Sequence, residues 1–302
     1  MNEPPQKDEL IPLQQTSLAL STEYANFLGQ VLLTISNSNG DRQSVYSLLE
    51  ANLDKLEEGI QTRRGVSLPR ILRRLAVARL QEMESESAQP MQESIRLLGN
   101  LIQQFPLGDK AGKLEIAITC YEVAAKFFSR DTYPQEWAKL QNDLGMVYQK
   151  RSRDNRTKNI EQAIYYYQDA LGVLSREAFP QDWAMTYNNL GTAYFDRILG
   201  SRLQNVEEAI RCYDKALLVR TFAELPEDWA TTQHNLGNAY RDRIYGERAD
   251  NLEQAITCYE RALKVRSRET LPKDWADTQN NLGNAYRECI QGNKAQNLEQ
   301  AI

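Results

Sequence analysis

The feature that most constrains this chain is a spacing. Its four tryptophans, Trp137, Trp183, Trp229 and Trp275, stand 46 residues apart. A proline lies three residues before each one (Pro134, Pro180, Pro226, Pro272), and a Leu-Gly pair follows each (Leu144-Gly145, Leu190-Gly191, Leu236-Gly237, Leu282-Gly283). A tyrosine comes three residues after each glycine: Tyr148, Tyr194, Tyr240 and Tyr286. The second half of the period keeps phase, with Ala163, Ala209, Ala255 and Ala301, then Tyr167, Tyr213 and Tyr259, then Ala170, Ala216 and Ala262. A fixed period of this length marks a repeat array, in which each unit buries its apolar face only by stacking on its neighbours.

Each period reads as two helices. In the unit that opens at Pro226, the proline suits the first helical turn, where its missing N–H is not needed. Trp229, Leu236, Ala239, Tyr240 and Ile244 then recur at helical spacing, and Gly246 is expected to stop the helix. Asn251 is expected to cap the second helix, with Gln254 in the capping-box position; the same pattern recurs at Asn159, Asn205 and Asn297. Leu252, Ala255, Ile256, Tyr259, Leu263 and Val265 give that helix its buried stripe. A glycine facing an alanine would let two helix backbones approach closely.

At these residues the chain resembles the tetratricopeptide repeat. The likeness rests on Leu236-Gly237-x2-Tyr240 in the first helix and Ala255-x3-Tyr259-x2-Ala262 in the second. The unit departs from the family in length, being 46 residues instead of roughly 34. The resemblance implies an all-α fold, a right-handed α-solenoid of helix-turn-helix repeats, and a role in binding other proteins. The unit also resembles the arrays of large cyanobacterial proteins, through Asn-Asn-Leu-Gly-Asn-Ala-Tyr-Arg (Asn280–Arg287) and Asn-Leu-Glu-Gln-Ala-Ile (Asn251–Ile256). Many of those end in a caspase-like CHAT protease domain, so that likeness implies a non-catalytic sensor or scaffold arm, with the protease in a part that follows.

The organisation read from the sequence has three parts. Residues 1–12 are polar, with Pro4-Pro5, and are expected to form a loose tail. Residues 13–89 carry three amphipathic stretches (Leu20–Ile35, Val45–Ile60, Ile71–Met83) that form an N-terminal helical cap over the array. The array itself covers 90–302. Its first repeat, near 91–136, is degenerate, with Met91 in place of tryptophan, Ile102 of tyrosine and Lys113 of the asparagine. Repeats 137–182, 183–228 and 229–274 follow, and 275–302 reads as a truncated repeat.

Composition narrows the function classes. The formal net charge of −5 disfavours a nucleic-acid partner, which calls for a basic footprint. No apolar run approaches the roughly 20 residues that span a bilayer, and the N-terminus has no secretory pattern, so a cytoplasmic protein without a membrane partner is expected. Cys120, Cys212, Cys258 and Cys289 lack metal-ligand spacing, and His234 is the single histidine. There is no phosphate loop, no Ser-His-Asp set and no implied cofactor or metal, so the segment reads as no enzyme.

What remains is a surface that binds polypeptide. The positions around each Leu-Gly pair form a polar ladder: Asn142, Asn188, His234 and Asn280 two before the leucine, and Asn189, Asn235 and Asn281 one before it. Asn238 and Asn284 follow the glycine. An amide both donates and accepts, so such a row can pair with the N–H and C=O groups of an extended peptide lying in a concave groove. Arg241, Arg287, Phe195 and Met146 would then set selectivity. The bland alternative is that these amides bond adjacent helices or face water. The cysteines on the second helices read as packing residues, the tryptophans as inter-repeat packing, and the arginines at the hairpin loops (Arg151, Arg153, Arg156, Arg197, Arg202, Arg243, Arg248) as a solvated basic rim, with an acidic partner as the alternative. A structural reading also stands, in which the array associates with itself or acts as a spacer.

Overall fold

The structure, a computed structural model, describes residues 7–60, 67–82 and 85–289, with side chains over 21–56, 67–78 and 90–289. Every element among the described residues is a helix, and consecutive helices pack as hairpins: an all-α solenoid of helix-turn-helix repeats. The chain forms two compact units, Met1–Asp154 and Asn155–Ile302.

The first unit holds α1 (Lys7–Asn37), α2 (Arg42–Glu50), α3 (Leu53–Ile60), α4 (Leu68–Glu82), α5 (Ser85–Gln104), α6 (Lys110–Ala125) and α7 (Pro134–Lys150). Of the tail expected over 1–12, residues 1–6 lie outside the described residues and residues 7–12 are the first turns of α1. Tyr24, Phe27, Leu28, Val31 and Ile35, spaced three to four apart, put one face of α1 into the core, where it packs on α4 and α5. The single helix expected over 45–60 is broken into α2 and α3 at Ala51-Asn52. There the Asn52 amide donates to the Leu48 carbonyl (3.0 Å) and accepts from Lys55 (2.9 Å), local bonds that compete with the helical ladder. Helix α5 begins at Ser85, so Pro90 sits in its second turn instead of opening the array.

The second unit holds α8 (Arg156–Leu171), α9 (Pro180–Phe195), α10 (Arg202–Leu217), α11 (Pro226–Arg241), α12 (Arg248–Leu263) and α13 (Pro272–Glu288). Each first helix (α7, α9, α11, α13) opens with proline at its first position, as its missing N–H allows. These helices end sooner than the apolar spacing suggested. Helix α11 stops at Arg241, and Ile244 is 59% exposed in the loop beyond it. The chain then turns through one left-handed residue per repeat, Gly108, Asp154, Gly200 or Gly246, with φ of 82, 63, 80 and 83°.

The asparagines expected to cap the second helices do something else. Asn155, Ser201 and Glu247 hold the cap positions of α8, α10 and α12. Asn159, Asn205 and Asn251 lie four residues further on, inside the helix and buried, and Asn297 lies outside the described residues. The Asn205 amide reaches back to the carbonyls of Leu199 (2.9 Å) and Arg197 (3.3 Å), and Asn251 does the same to Tyr245 (2.9 Å) and Arg243 (3.5 Å). A buried carbonyl needs a donor, and these amides close the loop from within. In α6, Lys113 takes the asparagine's place and donates to the equivalent carbonyl, Phe105.

Glycine sets how closely the two helices of a hairpin approach, but its opposite number is a ring. A Cβ on Gly191 would stand 2.7 Å from Tyr213, on Gly237 2.7 Å from Tyr259, and on Gly99 2.7 Å from Tyr121. Each ring is essentially fully buried. The second-helix alanines (Ala163, Ala209, Ala255) are also buried and continue the core.

The hairpin arginines are not an open basic rim. Arg197 forks onto Glu161 of the preceding repeat through two bonds of 2.8 Å, and Arg243 onto Glu207 at 2.7 and 2.9 Å. Within the first unit, Arg151 holds Glu115 in the same way, at 2.6 and 2.9 Å. Each pair spans 36 residues, so one repeat is clamped to the next by planar, two-point contacts.

Candidate functional site

The candidate surface of the second unit lies on α9, α11 and α13, which pack side by side through residues one repeat apart. Asn188 is buried, and its carbonyl oxygen accepts from Thr232 (3.2 Å) and from the Asn235 amide (3.3 Å). His234 Nδ1 lies 3.1 Å from the Thr278 hydroxyl. Asn238 accepts from the Tyr259 hydroxyl (2.8 Å) and from the Asn281 amide (3.1 Å), and Arg241 donates to Asn281 (3.2 Å). Arg287 donates to Asn284 within α13 (2.6 Å). The ladder is therefore a hydrogen-bonded seam, with most rungs linking neighbouring first helices.

Exposure divides the sequence candidates. Asn142 and Asn188 are buried, which removes both from the reach of a ligand. His234, Asn189, Asn235, Asn238, Asn281, Asn284, Arg241 and Phe195 are half-buried, each with an edge at the surface. Asn280 and Arg287 are exposed. In the first unit Met146 is half-buried on α7 and lines a cavity with Lys110, Lys113 and Lys150. Phe195 carries the Arg202 guanidinium 4.4 Å above its ring.

Two buried arginines anchor the seam, and sequence reasoning missed them. Arg220 donates to Thr232 (3.1 Å) and faces Asp228 (3.3 Å). Arg266 donates to Thr278 (2.8 Å) and Thr231 (3.2 Å). The same phase holds Phe128 and Leu174 in the earlier repeats, so the junctions change from apolar to polar along the chain. The signal was available: Thr186, Thr232 and Thr278 recur 46 residues apart where the earlier repeat has Leu140. Burial holds both arginines below the ordinary arginine value. It also pushes His234 down to about 4, with the Arg266 charge adding to the effect, so this histidine is neutral at pH 7.

Cys120, Cys212 and Cys258 are buried, and burial raises all three thiols, Cys212 and Cys258 to about 12, so none is a thiolate nucleophile. No group of metal-ligating side chains occurs among the described residues, and no helix among them is long and apolar enough to cross a membrane. The tryptophans, expected between repeats, are half-buried and stand at the entrance to each first helix. Trp229 packs edge-on against Phe222 of the loop before it (5.2 Å), and Trp183 against Tyr187 one turn on (4.6 Å).

These features define a class, a helical-repeat protein. Residues 229–269 match the tetratricopeptide repeat family model, and the flanking units keep the same 46-residue phase. Among solved structures the chain is similar to BtubC (BKLC) from P. vanneervenii, with 20% identity and a TM-score of 0.51. The match covers 84% of this chain and 91% of that one, and at this identity it concerns the fold alone. No curated protein matches the sequence. Repeats of this type generally serve protein–protein interaction or scaffolding.

Proposed function

We propose that the chain is a non-catalytic scaffold that holds a segment of a partner polypeptide against the first helices of its second unit. The observation that carries this is the edge of the polar seam. Asn238, Asn281 and Arg241 are tied to one another, hence ordered before a ligand arrives, while Asn280, Asn284 and Arg287 extend the row to the surface. Ordered amides lose little conformational entropy on pairing with an extended backbone. Arg241, Arg287 and Phe195 border the row and would select side chains.

Alanine at Asn280, Asn284 and Arg287 together tests it, because two of these positions are exposed and the half-buried Asn284 bonds only Arg287 within α13, so the core is left intact. A partner captured by the wild-type chain should be lost from this triple variant and kept by Arg211→Ala, on the outer face of α10. Equal capture by all three proteins would overturn the reading. On the resemblance of its 46-residue unit, we further place the chain as the arm of a longer signalling protein. A native mass equal to 34.7 kDa in its own cells would refute that.

A second reading, self-association or a spacer role, has its own observation. Ile198, Leu199, Ile244 and Tyr245 are each about half exposed or more, at equivalent loop tips of successive repeats. Sedimentation equilibrium of Ile198→Ser/Ile244→Ser against wild type decides it, since a wild-type monomer at all concentrations excludes self-association.

A further inference from the structure

The charge pattern at the hairpin ends reverses at one junction. In the second unit, the first residue of each second helix is an arginine that pairs with an acid 40 residues on. Arg156 meets Asp196 (3.4 Å), Arg202 meets Asp242 (2.9 Å) and Arg248 meets Glu288 (2.5 Å). In the first unit the same two positions hold Lys110 and Lys150, so the acid has become a second base. A third amine joins them. Lys113 is buried, donates to the Phe105 carbonyl and lies 5.9 Å from the centre of the Phe105 ring.

The three lysines line one cavity of about 350 Å³, together with Asn100, Gln103 and Gln104. Of the other polar groups there, Gln103 spends its amide on the Tyr121 hydroxyl (2.6 Å), and two further amides stay open to an anion. The amide oxygen of Asn100 is taken by the Tyr121 hydroxyl (2.5 Å) and that of Gln104 by Arg42 (2.6 Å), which leaves their N–H groups to a ligand. The carboxylates at the start of α6 are engaged elsewhere. Glu115 holds Arg151, and Asp109 caps the helix and faces Arg153 at 3.7 Å, its charge offsetting only part of the effect of burial on Lys113. Burial, and then the Lys110 charge, hold Lys150 below the ordinary lysine value; burial dominates for Lys113 too. Lys113 is buried while Lys110 and Lys150 are exposed, and three like charges around one cavity favour the entry of a counter-charge.

We propose that this cavity is a phosphoryl-binding site, in which Lys110, Lys113 and Lys150 hold the phosphate of a phosphorylated side chain on a partner polypeptide. Three ammonium groups and two amide donors match a dianion with three acceptor oxygens better than a single carboxylate. The proposal deepens the partner-binding reading and rests on it for the identity of the ligand as a polypeptide. Met146, at the cavity wall, would pack against the chain that carries the phosphate.

The test uses the whole chain and defined probes. Inorganic phosphate and the tripeptide Gly-phosphoSer-Gly, each titrated calorimetrically at fixed ionic strength, should bind saturably, and acetate and unmodified Gly-Ser-Gly should not. Lys150→Glu restores the acid of the other junctions, so it should fold, pair with Lys110 and weaken phosphate at least about tenfold. Phosphate affinity unchanged in Lys150→Glu would overturn the site. Acetate binding as well as phosphate would overturn the phosphoryl assignment, and exclusion of the phosphotripeptide would overturn the side-chain source. No natural partner is needed, so failure here is separate from failure of the polar seam on the second unit.

Discussion

Gly237→Ala is the substitution that most directly tests how the repeat is packed. In an isolated helix, alanine in place of glycine gains about 1 kcal/mol. Here the added Cβ would lie 2.7, 2.9 and 3.1 Å from Cε1, Cδ1 and Cζ of Tyr259. The ring has nowhere to go: it is fully buried, and its hydroxyl is tied to Asn238 at 2.8 Å. Overpacking of this kind costs about 1–3 kcal/mol, and loss of the hydroxyl bond about 1 more. Set against the helical gain, the net loss is about 1–3 kcal/mol. Repeat arrays need not unfold in one step, so urea denaturation should be joined by amide hydrogen exchange along α11 and α12. Gly29→Ala in α1 is the matched control, since a Cβ there meets nothing within 4 Å, and it should stabilise by up to about 1 kcal/mol. Tyr259→Leu should then reduce the cost of Gly237→Ala in a double-mutant cycle. A Gly237→Ala protein as stable as wild type, or additive behaviour in the cycle, would refute the ring-on-glycine account.

Two further outcomes follow from the same geometry. His234 is depressed to about 4 in the folded chain from an ordinary 6.5, so the unfolded chain binds more protons between those values. The stability associated with neutral His234 is therefore complete above pH 6.5 and falls as the pH drops toward 4; a pH series of hydrogen exchange should show this, and His234→Asn should flatten it. At the α12–α13 junction Cys289 stands where Arg243 and Arg197 stand in earlier repeats, opposite Glu253. Cys289→Arg should build the missing fork and stabilise by about 0.5–1 kcal/mol in urea denaturation, less at high salt.

Most of the architecture was legible because it is periodic. Tryptophan, proline, glycine and tyrosine recur at one spacing, and the two helices follow from the apolar positions between them. Local pattern misled where two mechanisms share a signature. Asn251-x-x-Gln254 looks like a capping box, yet the longer hairpin lets α12 start at Arg248, and the asparagine serves the loop from inside the helix. Ile244 fits the helical period beyond Arg241 by coincidence, in a stretch that is already turning toward Gly246. The ladder residues lie on the first helices, but the burial of Asn188 depends on Thr232 and Arg220, which come from other parts of the fold. The arginine forks were overlooked because their partners lie 36 residues away, beyond any local window.

The constancy of those offsets has an evolutionary consequence. Every clamp joins a residue to one a fixed number of positions along, whether through a fork or a helix-end pair. A duplicated 46-residue cassette would be born with both of its interfaces already matched, and the gene could lengthen or shorten by whole units without passing through an unstable intermediate. Change that breaks this interchangeability is then confined to junctions such as Lys110 with Lys150, where one unit no longer fits every neighbour and individuality can accumulate.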